Sequence, residues 1–212
     1  MPLKVLPANE ADAPRAVAIE DIAYGPHPLG PVLFPYPSSG SSWGTSRVTD
    51  LIDRLHKNPA CRWAKVIDTD LEGENMIAFA MWYIWETPPK ASEFSSYRGP
   101  RCNPEACEAY LGGMDRMRLE LMNDKPHAYL KLLHTDPAHQ RRGAASMLVQ
   151  WGLKEADRLG IAAVLESSDE GKGLYEKLGF KEARRFVVDL TPWGGPSDAS
   201  IPIMLRPVGG RE

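Results

Sequence analysis

The sequence predicts an α/β domain: a mixed, twisted sheet of about seven strands flanked by helices. Seven short β-rich segments are spread over the 212 residues, and helical periodicities separate several of them. That alternation suits helices packed on a sheet. Residues 76–85, Met-Ile-Ala-Phe-Ala-Met-Trp-Tyr-Ile-Trp, are apolar at both alternating sets of positions, as a central strand covered on two faces would be. Residues 129–135 form an apolar strand that turns through Asp136 and Pro137 into an amphipathic helix reaching Leu159 and stopped by Gly160.

Taken in order, residues 3–7 read as an edge strand, and Asn9 caps a helix through Ala16, Val17 and Ile22, with Pro14 tolerated in its early turns. The Pro- and Gly-rich residues 25–42 read as a long ordered loop. A helix follows from Gly44 or Thr45 to His56. Residues 61–69 and 75–86 then make an antiparallel hairpin. In the block 87–126 the first half is polar and Pro-rich, whereas the second carries a helical stripe at Ala106, Tyr110, Met114, Met117 and Leu121. After the helix ending at Leu159, with small residues at Gly152 and Ala156 that allow close packing on a sheet, come a strand at 162–167, a short helix at 169–178 and strands at 180–190 and 201–206.

Composition bounds the function. An apolar fraction of 43%, a charged fraction of 25% and a net charge of −3 describe one ordinary globular domain over residues 1–212. The slight acidic balance argues against nucleic acid as a partner. No apolar run approaches the ~20 residues that span a bilayer, so no membrane partner is expected. The first residues lack the features of a signal or transit peptide, and Cys61, Cys102 and Cys107 lack Cys-x-x-Cys spacing; free thiols in a cytoplasmic setting are expected. The five histidines show no ligand spacing with them, and no metal site is expected.

The stretch from Asp136 to Ser146 carries the chemistry. A helix N-terminus presents unpaired N–H groups and the positive end of its dipole, and Gly143, Ala144 and Ala145 let a phosphate approach the main chain. Gln140, Gly143 and Ala145 match Gln/Arg-x-x-Gly-x-Gly/Ala, and this segment resembles the pyrophosphate-binding signature of the GNAT N-acetyltransferase superfamily. Leu174-Tyr175-Glu176-Lys177-Leu178-Gly179-Phe180 resembles the second signature of that family, at the spacing and element order it uses. The motif-bearing resemblance covers residues 127–190. It implies a GNAT-like sheet, splayed where coenzyme A enters, and marks residues 87–126 as an insertion.

The resemblance further implies acetyl-CoA as cosubstrate and an amine as acceptor. Main-chain N–H groups of Arg141, Arg142, Gly143, Ala144, Ala145 and Ser146, behind Gln140, would hold the pyrophosphate, and the Arg141 and Arg142 side chains would neutralise phosphate charge. Main chain at Leu133, His134 and Thr135 would pair with the pantetheine arm. Tyr175 would protonate the departing thiolate, since a phenol with a pKa near 10 keeps its proton at neutral pH. Two positions depart from the family pattern: Ser168 stands where an Asn commonly contacts the cofactor, and Gly171 where an Ala is usual. The family has no fixed general base; Glu166 is the first candidate, with Glu86 and His134 behind it. Phe34, Tyr36, Trp82 and Trp193 are candidates to line the acceptor pocket, with Trp85 beside them. Neutral aromatic loops favour a small-molecule amine; a protein lysine or N-terminus, or a non-catalytic CoA-binding sensor, are the alternatives.

Overall fold

The computed structural model describes residues 2–25, 27–35, 42–90 and 102–210. Its strands are β1 (Leu3–Pro7), β2 (Cys61–Asp68), β3 (Met76–Trp85), β4 (His127–Thr135), β5 (Ala162–Glu166), β6 (Lys181–Val188) and β7 (Ala199–Arg206). They form one sheet in the order β1-β2-β3-β4-β5-β7-β6. Every neighbouring pair is antiparallel except β4 and β5, which run parallel. The seven-stranded mixed sheet expected from the sequence is thus the one observed.

The helices are α1 (Ala13–Tyr24), α2 (Gly30–Leu33), α3 (Ser42–Lys57), α4 (Pro104–Cys107), α5 (Gly113–Met122), α6 (Ala144–Leu159) and α7 (Asp169–Lys177). Asn9 does cap, but it closes a 3-10 turn at Glu10–Asp12 through a capping box with Asp12, and α1 begins only after that turn. Within the segment expected to be loop, Pro31 near the start of α2 pre-sets the helical φ, so a single helical turn forms there. The stripe in the 102–126 segment is helical, with a π-helical stretch at Glu108–Gly112 joining α4 to α5. Ala106, Tyr110 and Met114 are buried on it, and Met117 and Leu121 are partly so. Among the described residues no helix is long and apolar enough to cross a membrane.

All ten residues of β3 are buried, as its uniformly apolar sequence requires. Alternation divides them between two cores. On the first face Phe79, Met81, Tyr83 and Trp85 join Tyr129, Ile203 and residues of α1, α2, α4 and α5. On the second face Ala78, Ala80 and Trp82 join Ala128, Leu130 and the α6 residues Leu148, Val149 and Leu153.

The pairing of β4 with β5 runs from His127↔Ala162 to Leu130↔Leu165 and goes no further, although β4 continues to Thr135. The other edge of β4 stays on β3 to Thr135, with a bulge: Trp82 faces Leu130 and Met81 faces Leu132, so Lys131 is the extra residue. A bulge bends its strand and increases the local twist. Here it falls where β4 leaves β5. It also turns Lys131 and Leu132 to the same, first face: Lys131 lies over the Tyr129 ring, and Leu132 packs on the first core.

Close approach of α6 to the sheet depends on Gly152. A Cβ there would lie 2.2 Å from the Trp82 ring. Small residues on α6 therefore do what the sequence suggested. Trp82 itself is fully buried beneath that helix, which removes it from the acceptor pocket it was expected to line. Overpacking of such a contact costs about 1–3 kcal/mol. Gly152→Ala is expected to lower stability by that amount, read as a reduced midpoint at unchanged slope in urea denaturation.

Candidate active site

The turn into α6 is braced from outside. Asp136 accepts from the amide of Ala138 (3.0 Å) and from Arg15 Nη2 (2.7 Å), while Arg15 Nε donates to the carbonyl of Met76 (3.1 Å). On the other side Arg142 donates to the buried Asp68 carboxylate (2.6 Å) and contacts His139 Nδ1 (3.0 Å). That hydrogen bond holds the Asp68 carboxyl below the usual carboxylate range. The Gln140 side-chain amide donates to the carbonyl of Thr135 (3.4 Å). Arg142 and Gln140 thus hold the loop with their side chains, and the Arg142 guanidinium, expected to neutralise phosphate, is engaged by Asp68 and His139. Arg141 is exposed, and its guanidinium has no partner among the described residues.

Arg141 (φ 61°) and Gly143 (φ 89°) are both left-handed, which turns the loop back over the start of α6. The N-cap is Gly143, and no side chain among the described residues caps the helix. The amide of Met147 already bonds to Gly143 O (3.0 Å), whereas those of Ala144, Ala145 and Ser146 belong to the first turn and have no intrahelical acceptor. A Cβ added at Gly143 would meet nothing within 4 Å. Uncapped amides, a helix dipole and open space together make an anion cradle. The residues present fit a pyrophosphate.

From the cradle the open edge of β4 leads toward the middle of the sheet, past Thr135 and Leu133. Thr135 Oγ1 is buried there with no hydrogen-bond partner among the described residues. An orphaned polar atom beside an unpaired strand edge fits a polar, strand-like ligand such as a pantetheine arm. The Tyr24 hydroxyl donates to the carbonyl of Leu133 (3.4 Å), and its ring lies edge-on to His134. Nothing in the sequence marked Tyr24, because it ends a helix that carries no motif.

Tyr175 reaches the second core from α7. It is 8% exposed, its ring lies edge-on to Phe180, and burial pushes its pKa up to about 12. Its hydroxyl has no hydrogen-bond partner among the described residues. A Cβ at Gly171 would lie 3.1 Å from the Tyr175 ring, so glycine at this departure from the family pattern gives the ring room. Ser168 has a different use from the expected one. Its hydroxyl accepts from the amide of Gly171 (3.1 Å) as the N-cap of α7.

None of the three base candidates is a free base at the splay. Glu166 ends β5 with its side chain 11% exposed; Arg118 Nη1 donates to Oε1 (2.5 Å) and the Tyr129 hydroxyl to Oε2 (2.8 Å). Arg118, itself 1% exposed, is also held by Asp115 (2.6 Å). Glu166 therefore anchors α5 to the sheet. Glu86 follows the end of β3, where Trp85 pairs with His127, at the opposite end of β4 from the splay. His134 is on the splayed segment but only 3% exposed and stacked on Phe79, and burial lowers its pKa to about 4. Phe34 and Trp193 are half-buried against the first core, with Trp193 Nε1 donating to Glu105 (3.4 Å). Trp85 is buried in that core, stacked on Tyr83 and Tyr129. Tyr36 lies outside the described residues.

Residues 31–180 match the family described as Acetyltransferase (GNAT) family. Among solved structures, the chain is similar to one described as histone acetyltransferase HPA2 and related acetyltransferase from Corynebacterium glutamicum (TM-score 0.63, 22% identity, 98% of this chain and 97% of that one). It is also similar to an agmatine N-acetyltransferase (TM-score 0.66, 13% identity, 97% and 99%). A third is NAA60 of Arabidopsis thaliana, in complex with acetyl-CoA (TM-score 0.52, 13% identity, 96% and 97%). At these identities the likeness is one of fold.

His134 supplies a test of the packing around the splay. The folded protein keeps the ring neutral down to about pH 4, whereas an unfolded chain takes up the proton near 6.5. Between those values the unfolded state binds more protons, so stability is expected to fall as the pH drops from 6.5 toward 4, by about 3 kcal/mol in all. Urea unfolding of wild type and His134→Leu across that range measures it. A variant that loses as much stability as wild type over the same window would show that His134 is not the group responsible.

Proposed function

The chain belongs to the acetyltransferase (GNAT) family and is an acetyl-CoA-dependent N-acetyltransferase, and on that basis we propose that its acceptor is a small-molecule primary amine that attacks directly. The observation that carries the reading is the junction of an uncapped α6 N-terminus with an unpaired β4 edge. Acetyl-CoA supplies a thioester whose acyl carbon an amine can attack. The amides of Ala144, Ala145 and Ser146 hold the pyrophosphate, and Arg141 adds the charge of its free guanidinium. The β4 main chain around Leu133 and Thr135 pairs with the pantetheine amides and aligns the acyl end with the splay.

Tyr175 holds the proton that the departing sulfur needs. As the amine nitrogen bonds to the acyl carbon and the carbon–sulfur bond breaks, the electron pair goes to sulfur, which takes the phenolic proton, while the nitrogen gives its surplus proton to water and water returns one to the phenolate. A pKa near 12 keeps that proton on Tyr175 throughout the neutral range. A small acceptor is supported by the cover over the first face: α2, α4 and α5 pack there, and Lys131, Leu132 and Glu166 are only partly exposed beneath them. A cytoplasmic setting is supported by three free, buried cysteines.

Calorimetry tests the cradle. Acetyl-CoA is expected to bind wild type, whereas Gly143→Glu places a carboxylate in the phosphate site and abolishes binding. Gly143→Asn controls for backbone strain, because Asn tolerates positive φ. Unchanged affinity in a folded Gly143→Glu protein would put the phosphate site elsewhere.

Free-thiol release on turnover tests the proton donor. Tyr175→Phe keeps the ring and is expected to lower turnover about 10²–10⁴-fold with little change in acetyl-CoA affinity. Near-wild-type turnover, with chemistry limiting, would mean that water delivers the proton.

A further inference from the structure

Among the described residues, several charged groups around the first face form closed sets, and Lys131 stands outside them. Asp115 and Glu166 both receive Arg118 (2.6 and 2.5 Å). Asp50 receives Arg47 and Arg54 (2.5 and 3.0 Å), and Glu20 receives Arg47 (2.8 Å). Each of these carboxylates has a guanidinium, and each of these guanidinia has a carboxylate. Lys131 is left over. Its ammonium lies 5.5 Å from the centre of the Tyr129 ring, with no carboxylate in ion-pair reach among the described residues. The same ring already carries the Arg118 guanidinium 3.8 Å from its centre.

Burial holds the Lys131 pKa below that of an ordinary lysine, although Asp115 and Glu166 attract the ammonium from beyond contact distance while Arg118 and Arg54 repel it. A strand position facing a core would normally carry an apolar residue. This lysine is instead the bulged residue of β4, one residue past the last pair with β5 and two before Leu133. The N-terminus of α6 belongs to the second face, so an acceptor meets the open β4 edge from the first face, where Lys131 stands.

We propose that the acceptor amine also carries a carboxylate, as an amino acid does, and that Lys131 binds that carboxylate. The anion gives Lys131 an ion-pair partner and holds the acceptor beside the β4 edge. An acceptor bearing a second cation in place of the anion meets Lys131 with like charge and is disfavoured. The inference rests on the small-amine acetyltransferase reading and narrows its substrate class.

The experiment compares L-amino acids with their carboxamides and their decarboxylated amines, side chain by side chain, in an acetyl-CoA thiol-release assay. Agmatine, spermidine and lysine-bearing peptides complete the set. The free acids are expected to have kcat/KM about ten- to hundredfold above their carboxamides, mainly through KM, as a charge-assisted contact allows. Lys131→Met is expected to bring that ratio close to one, and Lys131→Arg to retain most of it. A general loss of structure would lower acid and amide alike and leave the ratio unmoved. Equal use of acid and amide by wild type, or an unchanged ratio in Lys131→Met, overturns the assignment. Turnover of agmatine, spermidine or peptides without any amino acid overturns it too, while leaving acetyl transfer intact. Acetyl-CoA binding without turnover of any amine would instead remove the enzymatic reading beneath it.

Discussion

The pairing of β4 with β5 ends at Leu130 and Leu165, one residue before β5 itself ends at Glu166, and β4 runs on to Thr135 with no strand on that edge among the described residues. The extra residue at Lys131 marks the place. Because β3 holds the other edge of β4 throughout, the free segment stays extended and does not fray. An extended backbone with one edge unpaired by a strand is a template for a strand-like ligand, and it points along the sheet to the start of α6. The open edge of β4 takes its position from this parting.

The loop that completes the cradle is fixed before any ligand arrives. Arg15 reaches it from α1, 121 residues away in sequence from its partner Asp136, and Arg142 reaches back 74 residues to Asp68. These part-buried pairs are worth more as positioning devices than as sources of stability. They hold Arg141 and Gly143 in left-handed conformations with the first amides of α6 turned outward. Preorganised donors need no rearrangement when phosphate binds.

A second set of charges does the same for the acceptor side. Arg118, buried among Tyr129, Asp115 and Glu166, joins α5 to the end of β5. Removal of either partner would leave a charge stranded in a core, so the set is costly to break even if its net contribution is small. It engages both carboxylate oxygens of Glu166. The segment read as an insertion therefore contributes a structural tie to the splayed strand, and the π-helical stretch at Glu108–Gly112 lies within it.

Local pattern determined much of this protein from sequence alone. The apolar run of β3, the limits of α6 between Gly143 and Gly160, the hairpin of β2 and β3, and the two spaced motifs all depend on neighbours within a few residues, where period and turn chemistry are legible. Gly152 was legible too, as a small residue on a helix face. The tertiary structure decided the rest, since each remaining feature is a contact between distant segments. A one-residue bulge at Lys131 leaves no mark on hydrophobic alternation in so short a strand. The tie between Arg118 and Glu166 spans 48 residues, the burial of His134 needs Phe79 and Tyr24 against it, and Trp82 is core only because α6 lies over it. Sequence supplies the chemical groups and their local geometry. Which of them stay free to act is fixed by the neighbours that the folded sheet brings against them.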